Sequence, residues 1–303
     1  MDKKAKILIT TSSFGKVDSS PLDKLKEHGF EIIENPFKRK VTPQELRELL
    51  PGVAGLIAGT EAIDRETMEN SNLKVISRVG VGMASIDLNA AKALGIAVKN
   101  TPDGPTVAVA ELTLGALLGL IRMIPQMDRD LREKKWTKKM GFQLTGKTVL
   151  IVGFGRIGRY LAKLLRPFKV KLLAVDPALK GVIDEVSIVS LKEALPKADI
   201  IALHLGGNSQ VLGEDEFSQM KEGVFILNAA RGNVIDENSL VKALDEGKVF
   251  SAWLDVFSEE PYTGPLLNYP QVILTPHVGS YTKECRKRME MEAVDNLLTV
   301  LKN

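Results

Sequence analysis

Histidine is the side chain whose ordinary pKa lies closest to neutrality, so a chemical reading of this sequence begins with its histidines. There are three in 303 residues, and one, His277, stands in Leu274-Thr275-Pro276-His277-Val278-Gly279. Seventeen residues upstream is Glu260, in Leu254-Asp255-Val256-Phe257-Ser258-Glu259-Glu260-Pro261. A carboxylate beside an imidazole holds it in one tautomer and favours its protonated form, which makes a general base. Arg231, in Asn228-Ala229-Ala230-Arg231-Gly232, follows an apolar run, and a guanidinium at a strand end can grip a carboxylate through two parallel hydrogen bonds. Farther upstream is the turn Gly153-Phe154-Gly155-Arg156-Ile157-Gly158. Alone such a turn is weak evidence. Here a β-branched run, Lys147–Val152, leads in and a helical pattern, Arg159–Leu165, leads out. Gly153 permits the turn, Gly155 admits a pyrophosphate, and Gly158 lets helix and strand pack closely. The backbone N–H groups of Arg156 and Ile157 then face the phosphates. Asp176, eighteen residues past Gly158, ends the next apolar run, where a carboxylate accepts from ribose hydroxyls. The same carboxylate repels a 2′-phosphate and predicts NAD over NADP. Together these residues imply hydride transfer coupled to proton transfer.

The elements that must position them follow from hydrophobic patterning. Apolar runs at Lys6–Thr10, Phe30–Glu34, Gly55–Ala58, Val75–Arg78 and Ala97–Val98 alternate with helical segments at Pro21–His28 and from Thr42-Pro43-Gln44-Glu45. Such alternation predicts a parallel sheet covered by helices. Thr101-Pro102-Asp103-Gly104-Pro105 marks a domain crossing. After it come a long helix, Thr106–Arg122, and a charged one, Asp128–Lys135. A second alternating series then runs through strands at Val149–Val152, Lys171–Val175, Ile200–Leu203, Val224–Asn228, Ser251–Asp255 and Val272–Thr275. Its rhythm is that of a Rossmann-type doubly wound domain. The closing helix, Thr282–Leu301, returns to the first domain. The expected organisation is a smaller, flavodoxin-like α/β catalytic domain, residues 1–100 with 281–303, and an NAD domain, residues 101–280.

Composition excludes several classes. The 41 basic and 38 acidic residues leave a net charge of +3, too slight to predict a nucleic-acid or membrane surface. A single cysteine, Cys285, rules out an intrachain disulfide and fits a reducing compartment. Only a few apolar residues follow Met1-Asp2-Lys3-Lys4-Ala5-Lys6, too few for a signal-peptide core, so the expected location is cytoplasmic. No metal-ligand cluster stands out, and none is expected. Of the other histidines, His28 precedes Gly29 at a helix end, and His204 ends a strand near the expected adenosine site.

In order and spacing, the glycine turn with Asp176, Asn228-x-x-Arg231-Gly232, Asp255-Val256-Phe257-x-x-Glu260-Pro261 and Pro276-His277-x-Gly279 resemble the D-isomer-specific 2-hydroxyacid dehydrogenases. Arg78-Val79-Gly80-Val81-Gly82 and Val109-Ala110-Glu111 match the same pattern, so the resemblance covers nearly the whole chain. It is strongest to the short phosphoglycerate dehydrogenases that lack a regulatory domain. The resemblance implies that His277 exchanges the hydroxyl proton, that Glu260 supports it, and that Arg231 binds the substrate carboxylate and polarises its carbonyl. It implies that Asp255 meets the nicotinamide carboxamide and that Ala229 and Thr106 also contact the cofactor. It places the substrate carboxylate on the N–H groups around Val81 and Gly82, near Arg78. It also implies closure of the two domains around the site and a homodimer formed through Thr106–Lys139.

The chain departs from the family pattern in places. Leu205-Gly206-Gly207 replaces an expected proline after His204, Ala84-Ser85 stands where Asp-Asn is common, and Gly104-Pro105-Thr106 where an asparagine is common. Gly59 stands where some phosphoglycerate dehydrogenases carry an arginine. A substrate phosphate would then need other cations, such as Lys38-Arg39-Lys40 or Arg132-Glu133-Lys134-Lys135. The expected reaction is NAD-dependent interconversion of a D-2-hydroxy acid and its 2-oxo acid, with 3-phosphoglycerate and 3-phosphohydroxypyruvate as the leading pair. The alternatives are a glyoxylate or hydroxypyruvate reductase and, from another class, an NAD-sensing binding protein related to corepressors. Formate dehydrogenase is disfavoured because it carries glutamine where this chain has Glu260.

Overall fold

The computed structural model describes residues 5–207 and 209–302, so Met1-Asp2-Lys3-Lys4, read above for a signal peptide, lie outside the described residues. The chain divides into two compact units, Met1–Pro105 with Ser280–Asn303, and Thr106–Gly279.

The first unit contains strands β1 (Lys6–Ile9), β2 (Glu31–Glu34), β3 (Val53–Ala58), β4 (Val75–Arg78) and β5 (Ala97–Asn100). They form one parallel sheet in the order β2-β1-β3-β4-β5, which reverses direction between β1 and β3. Between them run helices α1 (Ser20–Glu27), α2 (Pro43–Leu49), α3 (Arg65–Glu69) and α4 (Leu88–Ala93). Thr42 and Glu45 build a reciprocal capping box at the start of α2, with Pro43 at the first helical position. Both devices satisfy or avoid the orphan N–H groups of a helix N-terminus. Asp64 and Asp87 cap α3 and α4 with their side chains alone, accepting from Thr67 N–H and Ala90 N–H at 2.8 Å.

The second unit opens with helices α5 (Pro105–Ile121) and α6 (Ile124–Arg132). Strands β6 (Thr148–Val152), β7 (Lys171–Val175), β8 (Gly181–Ile183), β9 (Val186–Ile188), β10 (Ile200–Leu203), β11 (Val224–Asn228), β12 (Val249–Leu254) and β13 (Val272–Leu274) follow. Helices α7 (Arg156–Leu165), α8 (Leu191–Ala194), α9 (Glu214–Gln219) and α10 (Glu237–Asp245) connect them. The sheet order is β13-β12-β11-β10-β6-β7-β9-β8, parallel except for β8. Successive residues of each inner strand enter opposite cores. Leu150, Val152, Ile201 and Leu203 face one layer of helices, while Val149, Ile151, Ile200 and Ala202 face the other. A parallel sheet covered on both faces requires such continuous apolar strands.

The last helix, α11 (Lys283–Leu301), packs on the first sheet. Gly55 is what allows it so close: a Cβ there would stand 3.1 Å from Leu297 and 3.2 Å from Leu301. A buried ion pair, Arg286 with Glu290 at 2.6 Å, ties α11 to the β1–α1 loop. Glu290 accepts the Gly15 N–H at 2.9 Å, and Arg286 donates to the Ser13 hydroxyl at 2.9 Å.

Candidate active site

The glycine turn joins β6 to α7, and each glycine has a steric reason. Gly153 adopts φ +92°, and a Cβ there would lie 2.5 Å from Leu205 N. At Gly158 a Cβ would lie 2.3 Å from the Gly153 carbonyl oxygen. Gly155, which precedes the first turn of α7, faces open space instead. That space, at a helix N-terminus and beside free backbone, suits a pyrophosphate. Asp176 ends β7 and is held on both oxygens: Oδ2 accepts from Phe154 N–H and Oδ1 from Ala178 N–H, each at 3.0 Å. It lines a pocket of about 390 Å³ with Val175, Pro177, Leu179, Lys180 and Ser190. The pocket and the cradle before α7 fit NAD, with Asp176 placed for the ribose hydroxyls and Arg156 and Ile157 in the first turn of the helix.

The chemistry gathers at the carboxyl ends of three neighbouring strands, β11, β12 and β13. His277 Nδ1 lies 3.0 Å from Glu260 Oε2. An ionised carboxylate only accepts, so the ring proton belongs on Nδ1 and Nε2 is left as the proton acceptor. Glu260 is itself oriented, because its Oε1 accepts the Phe257 N–H at 3.1 Å. Both side chains keep solvent access, 47% for His277 and 39% for Glu260, so a substrate can reach them.

Asp255 serves the histidine from below. Only 2% exposed, it accepts from Val278 N–H at 2.9 Å, Gly279 N–H at 2.7 Å and the Thr275 hydroxyl at 2.6 Å. Thr275 Oγ1 in turn accepts from the indole N–H of the fully buried Trp253 at 3.0 Å. Every one of these donors flanks His277 or anchors its flank. The turn needs such holding, since His277 itself sits at φ +53°, a conformation that costs a non-glycine residue about 1 kcal/mol or more. Within the second unit the carboxylate expected to face the nicotinamide carboxamide thus fastens the catalytic turn.

Asn228, fully buried at the end of β11, organises the next loop. Its Nδ2 donates to the Arg231 carbonyl at 2.9 Å and its Oδ1 accepts from Ala230 N–H at 3.0 Å, bracketing Ala229. Arg231 leaves this loop half-buried, with Nη1 on the Ala230 carbonyl at 2.6 Å. Gly232 brings that loop against the Phe257–Ser258 backbone, where a Cβ would stand 1.8 Å from Phe257 C.

The remaining expected residues lie on other elements. Thr106 falls in the first turn of α5. Arg78, Val81 and Gly82 follow β4 in the first unit. The Arg78 guanidinium donates to the Val79 carbonyl at 2.9 Å and fills the space a Cβ on Gly80 would take, 1.4 Å from Nη1. Gly80 can therefore turn at φ +129°, its N–H on the Thr101 hydroxyl at 2.7 Å. Among the described residues, the N–H groups of Val81 and Gly82 enter no hydrogen bond. Two successive free amides make a cradle for an anion.

Comparison with known proteins gives the family. Residues 114–279 match the family described as D-isomer specific 2-hydroxyacid dehydrogenase, NAD binding domain. A hydroxypyruvate reductase of Thermotoga maritima is 36% identical over 299 residues, 93% of this chain and 97% of its own. The chain belongs to the D-isomer-specific 2-hydroxyacid dehydrogenases. A D-3-phosphoglycerate dehydrogenase of Archaeoglobus fulgidus is 34% identical across 94% of this chain, which spans 56% of that relative. Among solved structures, a glyoxylate reductase from Paecilomyes thermophila superposes with a TM-score of 0.87 at 31% identity, covering 100% of this chain and 97% of its own. The matched domain is described as NAD binding, the use that the glycine turn implies.

Two residues of this dehydrogenase's architecture are not singled out by sequence reasoning: Trp253 and Thr275. A buried hydrogen-bond partner 22 residues away leaves no local pattern. His204 ends β10 with both ring nitrogens shut off from solvent and without a partner among the described residues. Burial pushes its pKa down to about 4.

Two outcomes follow from these contacts. Thr275→Val strips one acceptor from Trp253 and one donor from Asp255, so urea unfolding should show a loss of about 1–3 kcal/mol that Thr275→Ser does not. Trp253 fluorescence, read in a Trp136→Phe background, should shift with the valine only; identical spectra for both variants would contradict the network. The histidine gives a pH effect. In the unfolded chain an imidazole titrates at about 6.5, so as pH falls the unfolded state takes up this proton first. His204 then removes stability progressively below pH ~6.5, reaching about 3 kcal/mol once pH has passed below its folded value. Urea unfolding at pH 7 and pH 4 should show His204→Gln losing less than the parent by about that amount. Equal losses would remove the burial argument.

Proposed function

We propose that this chain is an NAD-dependent D-2-hydroxyacid dehydrogenase that oxidises the C2 hydroxyl of a 2-hydroxy acid or reduces the matching 2-oxo acid. The hydrogen bond of His277 Nδ1 to Glu260 Oε2, at the sheet edge that also carries the glycine turn, supports this reading most directly. In the oxidative direction His277 Nε2 takes the hydroxyl proton while the C2–H bond breaks and C2–O becomes a carbonyl. NAD, when bound, supplies the acceptor for the hydride leaving C2. Glu260 stays ionised and balances the imidazolium that forms. In reverse His277 returns the proton to the oxygen, and Arg231 stabilises the negative charge that develops there. The Val81 and Gly82 amides of the first unit are suited to a carboxylate. Similar proteins are named for phosphorylated and for unphosphorylated acids, and 3-phosphoglycerate is the pair member expected from sequence.

We propose further that the working form is a homodimer through the second unit. Among its described residues α6 buries none, and Ile124, Leu131, Trp136 and Met140 are 54%, 56%, 82% and 90% exposed. Apolar groups gathered along one segment are what an interface covers.

Two measurements test these readings. His277→Ala should lower kcat for a 2-hydroxy acid about a thousandfold, with the Kd for NAD changed less than threefold, the range a positioned general base supplies. NAD binding by the parent chain without turnover of any 2-hydroxy or 2-oxo acid favours the NAD-sensing alternative instead. Sedimentation equilibrium should return a dimer that Trp136→Lys converts to monomer; a monomeric parent chain rejects the interface.

A further inference from the structure

We infer that Glu61 makes this site selective for 2-hydroxy and 2-oxo acids whose far end is uncharged, and against phosphorylated ones. The inference rests on the dehydrogenase reading above and names its substrate class. In a sheet of order 2-1-3-4-5, ligands bind outside the carboxyl ends of the strands, where the order reverses between β1 and β3. At that point this chain places a carboxylate of its own. Glu61, 3% exposed, receives the Gly59 N–H on both oxygens at 3.0 and 3.1 Å, and the Thr10 hydroxyl at the end of β1 lies against its Oε1. These donors are neutral, so they fix the charge without cancelling it.

The free amides of Val81 and Gly82 lie close by. β3 and β4 are neighbours, and the Val79 N–H still pairs with the Ala58 carbonyl at 2.9 Å beyond the strand ends. One to two strand spacings, roughly 5–10 Å, therefore separate the amide cradle from Glu61. A three-carbon acid held by its carboxylate on those amides carries a 3-phosphate within that distance of the Glu61 charge.

Within the first unit, the cations proposed from sequence do not redress the balance. Lys38, Arg39 and Lys40 follow β2, two strands or roughly 10 Å from the end of β3, and are exposed to solvent, which screens them. Arg39 is also occupied, its two terminal nitrogens on the Glu45 carboxylate at 2.9 and 2.6 Å. Gly59 offers no side chain, and the Arg78 guanidinium is folded back over Gly80 onto the Val79 carbonyl. A dianion even about 10 Å from Glu61 meets repulsion that, at an effective dielectric of about 20, amounts to about 100-fold or more in kcat/KM.

The test compares D-glycerate with 3-phospho-D-glycerate, which differ only in the phosphate, in NAD reduction by the whole protein. Wild type should favour D-glycerate about 100-fold in kcat/KM, and hydroxypyruvate over 3-phosphohydroxypyruvate in reverse. Glu61→Gln should remove most of that gap, about 100-fold, while D-glycerate turnover stays within threefold of the parent. Preference of wild type for the phosphorylated acid overturns the inference and leaves the dehydrogenase reading standing. That comparison needs no folded variant. A folded Glu61→Gln protein with an unchanged ratio also overturns it. Turnover of neither acid, nor of any other 2-hydroxy acid, removes the function reading and this inference with it.

Discussion

A buried carboxylate is the fixed point of the segment that carries His277. Asp255 gathers two backbone amides and a hydroxyl from the segment that carries His277. Charge-assisted bonds of this kind are roughly twice as strong as neutral ones, and three of them outweigh the backbone cost of the left-handed histidine. Without that anchor the imidazole would have no reason to point at Glu260. The indole of Trp253 completes the arrangement from the core side, so hydrophobic packing of β12 and the direction of a catalytic ring are mechanically linked.

Close backbone approach is the second recurring device. The glycine turn at 153–158 and Gly232 let loops from adjacent strands touch main chain to main chain, where any side chain would collide. Parallel strands deliver all their carboxyl ends to one edge, and glycine lets the loops there crowd together. Arg231, Glu260 and His277 follow three strands that are consecutive neighbours in the sheet, although 46 residues separate the first from the last.

Much of this is legible in the residues alone. Val75–Arg78, Lys171–Val175, Ile200–Leu203 and Val224–Asn228 are strands at the residues their apolar runs mark. The hairpin of β8 and β9 is not legible. Its two turn residues, Asp184 and Glu185, both adopt positive φ without the glycine or asparagine that normally announces such a turn, and three-residue strands carry no periodicity. The short helices α3, α4 and α9 are missed because five or six residues hardly complete a helical period. α6 starts at Ile124, earlier than its charge pattern implies, because Pro125 initiates it. In the site, the pair of Glu260 and His277 is readable because motif spacing carries it. Thr275, Trp253 and Glu61 are not, because the value of a polar side chain depends on which buried group it meets, and that is decided by the fold.

The packing of α11 on β3 has a consequence for biosynthesis. The first sheet is encoded before residue 105, but the helix that seals Gly55 against Leu297 arrives only after the whole second unit. At about 5–20 residues per second, the ribosome leaves that sheet face uncovered for roughly 10–40 seconds. The nucleotide-binding unit, continuous in sequence, can complete its core first. Nascent chains of this protein are therefore most exposed to aggregation and chaperone capture through the first unit, late in translation.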